Sequence, residues 1–259
     1  MRKGHAGSPG GRARALDAPT VVIAHSAWVD ATDWREVIAL LQAGDLSVIA
    51  VQSPLSSLAD DVDAVWRAIT HEAGPIVLVG HGYGGTVITQ VGNDPRVAAL
   101  VYVAAFAPEV GQSTNDLQKD YPPPPCVAEI EIDRSGFLYL ARNAVPEFLA
   151  HDLPAADSRI IGAAQKPIRA SALLDRVTAA AWYNRPCWYV VTDDDRMLSP
   201  ALQRQIVKRI KARSFVLHSG HLPFLSKPKE TAEAILAAVD FVRGGRDTDE
   251  SIAATPDGE

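Results

Sequence analysis

Short apolar segments rich in β-branched residues alternate with amphipathic helical segments along most of the chain. Six strand-like runs occur, at 20–25, 46–51, 75–80, 97–103, 187–192 and 214–218. Runs this apolar are typical of parallel strands whose sheet is covered on both faces. Between them, stripes such as Leu58, Val62, Val65 and Ile69 have the spacing of one helix face. The alternation predicts an α/β fold with a mostly parallel, doubly wound sheet.

This alternation is interrupted once. The predicted core comprises residues 19–107 and 185–243, and we expect residues 108–184 between them to form a helical cap or lid. The inserted segment contains the run YPPPPC at 121–126, which cannot be a helix or a central strand, and helices are expected at 137–142 and 171–181. The Gly- and Arg-rich residues 1–18 and the acidic residues 244–259 are predicted to be flexible tails.

Composition narrows the class of ligand. The 259 residues carry a formal net charge of −6, with a pI near 5.6, which argues against nucleic acid or an anionic membrane as partner and favours a small molecule. No apolar run reaches the roughly 18 residues of a membrane span, and two cysteines without metal-ligand spacing suit a reducing cytoplasm. We expect no cofactor and no metal, and His25, His71, His151 and His218 are expected to be structural or on the surface.

The segment Gly80-His81-Gly82-Tyr83-Gly84-Gly85 follows a strand and precedes a helix, and it fits two motifs. As G-x-G-x-x-G it resembles a dinucleotide-binding turn, but that turn follows the first strand and needs an acidic residue about 20 positions later. As G-x-Nuc-x-G it is a nucleophile elbow, a sharp turn that raises one side chain above the carboxyl edge of the sheet. Its place after the third strand favours the elbow, although the nucleophile position is Gly82.

With these residues the chain resembles a small esterase-like α/β-hydrolase, in which the elbow usually reads GHSYGG. The resemblance covers residues 19–243 and includes HSAW at 25–28, SPLSSLADDV at 53–62, VAAFAP at 103–108 and HLPFLS at 221–226. It implies a catalytic acid at Asp195, a catalytic histidine at His221, and oxyanion amides from Tyr83 and from Ala27 or Trp28. The chain order of elbow, Asp and His agrees, because both residues follow strands that end at the elbow's edge of the sheet.

Two positions depart from the family pattern. Gly82 has no attacking oxygen, and Ser26 stands where the family usually has glycine, which puts a hydroxyl near the oxyanion loop. The sequence therefore predicts an enzyme for a small, largely apolar carbonyl or ester compound that uses His221 and Asp195 for acid–base catalysis or water activation, in lyase, isomerase or cyclase-like chemistry. The alternatives are a serine esterase inactivated at residue 82, naturally or by design, and a non-catalytic receptor. Lid side chains are expected to line the pocket: Phe137, Leu138, Tyr139, Leu140, Phe148 and Trp182.

Overall fold

The computed structural model describes residues 19–244. The tails expected at 1–18 and 244–259 lie, apart from Gly244, outside these residues. The elements in chain order are β1 (Thr20–Ala24), α1 (Arg35–Ala43), β2 (Ser47–Val51), α2 (Leu58–Thr70), β3 (Ile76–His81), α3 (Gly84–Val91), β4 (Val97–Val103), β5 (Ile130–Ile132), β6 (Phe137–Leu140), α4 (Ala155–Ala164), β7 (Ile168–Arg169), β8 (Cys187–Thr192), α5 (Pro200–Ile210), β9 (Arg213–Leu217), α6 (Pro223–Ser226) and α7 (Pro228–Val242).

Six strands form one parallel sheet in the order β2-β1-β3-β4-β8-β9. Successive residues of a strand face opposite sides, so Val21 and Ile23 enter one apolar cluster while Val22 and Ala24 enter the other. Helices α1, α6 and α7 cover the first face, and α2, α3 and α5 cover the second. This confirms the predicted doubly wound α/β fold and explains why the strands are apolar on both faces.

The segment 108–184 is less helical than expected. It contains α4, several short 3-10 turns, and a three-stranded antiparallel sheet in the order β5-β6-β7. The helix expected at 137–142 is wrong, because Phe137–Leu140 is a strand. Asp133 causes the change: its carboxylate accepts from the backbone N–H groups of Ser135 and Phe137, and Gly136 turns the chain at φ +81°. At 171–181 no α-helix forms: the structure has a 3-10 turn at Ala170–Leu173 and a second one that begins at Ala181 (Ala181–Tyr183).

The carboxyl ends of the parallel strands open at one edge of the sheet, where ligands of such folds bind. The loops after β1, β3, β8 and β9 therefore meet above that edge. They carry Ser26, Gly82, Asp195 and His221, respectively. The division of the chain into core and lid remains a prediction.

Candidate active site

The turn between β3 and α3 has the geometry of a nucleophile elbow. Gly82 lies in the left-handed region at φ +50°, a conformation that costs other residues strain. A Cβ on Gly84 would lie 2.9 Å from the carbonyl carbon of Ala24, so α3 can pass β1 this closely only with glycine there. Close packing against the end of β1 thus accounts for glycine at position 84.

His221 and Asp195 form a hydrogen-bonded pair at the same edge. Nδ1 of His221 lies 2.8 Å from Oδ2 of Asp195, and both residues are buried. Two backbone N–H groups donate to Oδ1 of Asp195, while Thr192 Oγ1 and Gln203 Nε2 donate to Oδ2 at 2.9 Å each. A carboxylate with this many donors fixes the proton on Nδ1 and leaves the lone pair of Nε2 facing the elbow. No sequence signal identified Thr192 or Gln203, because each lies within a regular element.

Ser26 occupies the place of an elbow side chain. If residue 82 carried a Cβ, that atom would lie 2.9 Å from Ser26 Cβ and closer still to Ser26 Oγ, and 3.3 Å from His221 Nε2. The Ser26 hydroxyl accepts a hydrogen bond from the Tyr83 amide at 3.1 Å. The structure therefore brings Ser26, Gly82 and His221 to one point.

The structure distinguishes the two amides that the sequence left open. The Trp28 N–H donates to the Lys166 carbonyl at 2.7 Å, so it is not free to bind an oxyanion. Within residues 19–244 the Ala27 N–H has no such acceptor, and it follows Ser26 directly. Of the two expected alternatives, Ala27 is therefore the one whose N–H has no acceptor among the described residues, and Trp28 is one of the residues that line the cavity.

Two buried histidines hold the loops in place. The Ser53 N–H donates to His25 Nε2 at 3.0 Å, so the imidazole proton is on Nδ1 and is donated to the Ser26 carbonyl at 2.8 Å. Burial lowers the pKa of His25 to about 4, which keeps the ring neutral. His81 donates from Nε2 to the His221 carbonyl at 2.9 Å, and burial also lowers its pKa well below the usual value.

A buried carboxyl supports the elbow from below. The Tyr83 hydroxyl donates to Asp61 Oδ2 at 2.9 Å, and the Leu55 N–H donates to Oδ1 at 2.7 Å. Burial raises the pKa of Asp61 to about 6, despite these two bonds that favour the charged form. The orientation of the Tyr83 amide thus depends on a side chain of α2 that sequence reasoning did not single out.

Comparison with known proteins identifies the family. A model of the alpha/beta hydrolase family matches residues 21–234, which span both parts of the large sheet and the segment between them. The chain belongs to the alpha/beta hydrolase family.

Relatives of this α/β-hydrolase carry hydrolase names. A probable hydrolase of Phoma sp. is 22% identical over 85% of this chain and 98% of its own length. A carbendazim hydrolyzing esterase of Nocardioides sp. is 43% identical, but over only 22% of this chain and 25% of its own. Among solved structures, a pyrethroid hydrolase from Sphingobium faniae has a TM-score of 0.71 at 20% identity, covering 86% of this chain and 97% of that one. These findings confirm an esterase-like α/β-hydrolase.

A cavity of about 240 Å³ opens above the site. Its wall is largely apolar and contains no Asp, Glu, Lys or Arg side chain among the described residues. Of the six expected lid residues only Leu138 lines it; Leu140 and Trp182 are buried in the two apolar clusters instead. The residues that line the cavity include the polar Ser26, Thr114, Asn115, Gln118 and His221.

Residues 19–244 contain no group of three His, Cys, Asp or Glu side chains arranged to hold a metal ion. None of the helices described there is long and apolar enough to cross a membrane.

Proposed function

We propose that this α/β-hydrolase is an enzyme that cleaves a small, neutral, largely apolar ester or related carbonyl compound. His221 is the proton acceptor and donor, Asp195 holds its tautomer, and the amides of Tyr83 and Ala27 bind the developing oxyanion. The observation that carries this proposal is His221 itself: Asp195 lies 2.8 Å from Nδ1, and Nε2, which has no hydrogen-bond partner within residues 19–244, lies 3.3 Å from where a residue-82 Cβ would be. The two buried thiols, which form no disulfide, are compatible with the predicted cytoplasmic location.

The substrate class follows from the cavity wall. A charged ligand would enter without a counter-charge, and moving an unpaired charge out of water costs several kcal/mol or more. A neutral ligand loses little, because apolar side chains such as Phe106, Leu138 and Met197 line the cavity. Thr114, Asn115 and Gln118 can accept or donate one or two hydrogen bonds to an ester oxygen or hydroxyl group.

The test is hydrolysis of neutral short-chain aryl esters by the wild type and His221→Ala. General acid–base catalysis contributes about 10²- to 10⁴-fold, so kcat/KM of the variant should fall at least about a hundredfold. His218→Ala is the matched control, because His218 is an exposed histidine on the same loop whose imidazole pairs with Asp193 at 3.0 Å. Equal rates for the wild type and His221→Ala would contradict the proposal. Ligand binding without turnover by the wild type would favour the inactive esterase or the receptor.

Gly82 supports a second candidate function. Without an attacking oxygen at residue 82, His221 beside two amide donors suits removal of a proton next to a carbonyl group, as in enolisation, elimination or isomerisation. The test is solvent deuterium exchange at the α-carbon of neutral ketones and esters, followed by NMR. Exchange that requires His221 and proceeds without ester cleavage would favour this candidate over hydrolysis.

A further inference from the structure

We propose that Ser26, in the loop after β1, is the nucleophile of this enzyme. Gly82 in the elbow has no side chain and so leaves room for the Ser26 hydroxyl. The inference rests on the proposed ester cleavage and adds to it a covalent acyl-Ser26 intermediate. The juxtaposition that carries it is the Ser26 side chain in the volume of the missing residue-82 side chain, beside His221 Nε2.

Ser26 Oγ and His221 Nε2 both lie close to the position that a Cβ on residue 82 would occupy. The position of a residue-82 Cβ lies 3.3 Å from His221 Nε2, and Ser26 Oγ is nearer to it than Ser26 Cβ, which lies at 2.9 Å. A serine at an ordinary elbow would place its own hydroxyl between this position and the histidine. The proposal requires the Ser26 side chain to rotate so that Oγ reaches the histidine, and Gly82 has no side-chain atom to block that rotation.

Both atoms are also available for reaction. Ser26 Oγ accepts from the Tyr83 amide, and within residues 19–244 its proton is donated to no protein acceptor. In the same part of the structure His221 Nε2 has no hydrogen-bond partner. The backbone of Ser26 is held meanwhile, because neutral His25 donates to its carbonyl group. Ser26 lines the cavity, so a bound ester can reach it.

The oxyanion site is the same whichever residue carries the hydroxyl. In α/β-hydrolases one donor is the N–H of the residue after the nucleophile, and the other comes from a neighbouring loop. Here the residue after Ser26 is Ala27, and the residue after Gly82 is Tyr83. With Ser26 as nucleophile, the Ala27 N–H is the donor that follows the nucleophile, and the Tyr83 N–H is the donor from the neighbouring loop. The same two amides therefore serve in either case.

Other nucleophilic side chains at the cavity are less suitable. Burial raises the pKa of Cys126 to about 12, so its thiol stays protonated at neutral pH. The Thr114 hydroxyl is paired with Thr86 at 2.8 Å, away from His221. The Tyr83 hydroxyl donates to Asp61 beneath the elbow.

The reaction begins when the ester carbonyl oxygen replaces Ser26 Oγ as the acceptor of the Tyr83 N–H. His221 Nε2 takes the Ser26 hydroxyl proton as Oγ bonds to the carbonyl carbon, and the carbonyl π electrons move to the oxygen, which the Tyr83 and Ala27 amides bind. The carbonyl group re-forms, the bond to the leaving alcohol breaks, and the alcohol takes the proton from Nε2. Water then gives a proton to Nε2 and attacks the acyl-Ser26, and the acid leaves as Ser26 Oγ regains a proton from His221.

The experiment combines a fluorophosphonate probe with ester hydrolysis on the full chain. The probe forms an Oγ–P bond as fluoride leaves, and peptide mass spectrometry locates it independently of turnover. We expect one label per chain, on Ser26, and Ser26→Ala should lose labelling and kcat/KM by at least about a hundredfold. Ser53→Ala is the matched control, because it removes a buried hydroxyl of a residue that is not among those lining the cavity in the described part of the chain, and it keeps the backbone N–H that bonds to His25. It should label as the wild type does, and circular dichroism checks that both variants fold.

The outcomes separate the two proposals. Turnover that depends on His221 but is unchanged in Ser26→Ala, with no label on Ser26, overturns the inference and leaves the proposed function standing with water as nucleophile. A label on Ser26 without turnover supports the nucleophile and contradicts complete hydrolysis. A wild type that neither labels nor hydrolyses any ester overturns both.

Discussion

Residues 26 and 82 share a single volume at the centre of the site. The Ser26 side chain fits because residue 82 has no Cβ, and it would collide with one that was added. A hydroxyl can therefore stand on either residue without rearrangement, but not on both. This pairing explains why glycine and serine at these positions have to be considered together, although 56 residues separate them in sequence.

Gly82→Ser alone should consequently destabilise the protein. It forces a Cβ against Ser26 and reintroduces left-handed strain, which together should cost at least about 1–3 kcal/mol of unfolding free energy. The exchange variant, Ser26→Gly with Gly82→Ser, removes the collision and should recover part of that loss. Urea unfolding of the wild type, both single variants and the double variant measures the coupling. Additive effects of the two substitutions would show that the side chains do not compete for space.

The exchange variant also tests function at this position. It places a hydroxyl on the elbow beside His221, where the proposed function also places the Tyr83 and Ala27 amides. We expect ester hydrolysis and fluorophosphonate labelling at position 82, both abolished when His221→Ala is added. A folded exchange variant without activity would mean that the surrounding loops require a hydroxyl on the β1 side.

At the scale of elements, the elbow is joined to its neighbours by buried polar contacts. Asp61 of α2 bonds both to Tyr83 in the elbow and to the Leu55 N–H after β2, where the chain takes a positive φ of 60°. Buried polar groups must be paired, so these contacts fix the relative positions of the two loops. These contacts bury the Asp61 carboxyl group, and burial raises its pKa to about 6.

That raised pKa predicts how stability changes with pH. In the unfolded chain the carboxyl loses its proton near pH 4, whereas the native protein retains it up to about pH 6, so deprotonation lowers stability as the pH rises through this interval. The loss is about 3 kcal/mol, and it should be absent in Asp61→Asn. Urea unfolding of both proteins between pH 4 and pH 7 gives the difference, with Asp63→Asn, an exposed carboxylate on the same helix, as control. Parallel stability profiles for the wild type and Asp61→Asn would contradict this assignment.

At the scale of the whole molecule, charge distinguishes the outside from the cavity. The chain carries a net charge of −6, and the cavity wall has no charged Asp, Glu, Lys or Arg side chain within the described residues. The net negative charge therefore repels an anionic ester as it approaches, and no Lys or Arg side chain lines the described cavity to bind its charge. A neutral ester meets neither barrier.

Matched substrates test this selectivity. An aryl ester bearing a carboxylate should show kcat/KM at least about tenfold below that of its neutral isostere at low ionic strength. Added salt should narrow the gap by screening the repulsion outside the protein, without closing it, because charges in a partly buried cavity are screened much less. The neutral ester should respond little to salt. A faster reaction with the anionic ester would overturn the assignment of a neutral substrate.

Much of this protein can be predicted from local pattern. The alternation of apolar strands and amphipathic helices determines the α/β fold, because strand and helix periodicities are set by residues a few positions apart. The resemblance to α/β-hydrolases implies Asp195 and His221 as partners of the elbow, and loops after parallel strands are expected to bring them to its edge of the sheet. Even the strand at Phe137–Leu140 had a local signal, the Asp133 to Gly136 turn, which the helical expectation overlooked.

Tertiary structure alone decides which atoms meet. The sequence placed a hydroxyl near the oxyanion loop, but the entry of Ser26 into the volume at Gly82 depends on how closely β1, β3 and α3 pack. The choice of Ala27 over Trp28 depends likewise on Lys166, whose carbonyl takes the Trp28 amide. Hydrogen bonds and steric contacts act over about 3 Å. They join residues that are far apart in the chain, and local sequence periodicity carries no information about such pairs.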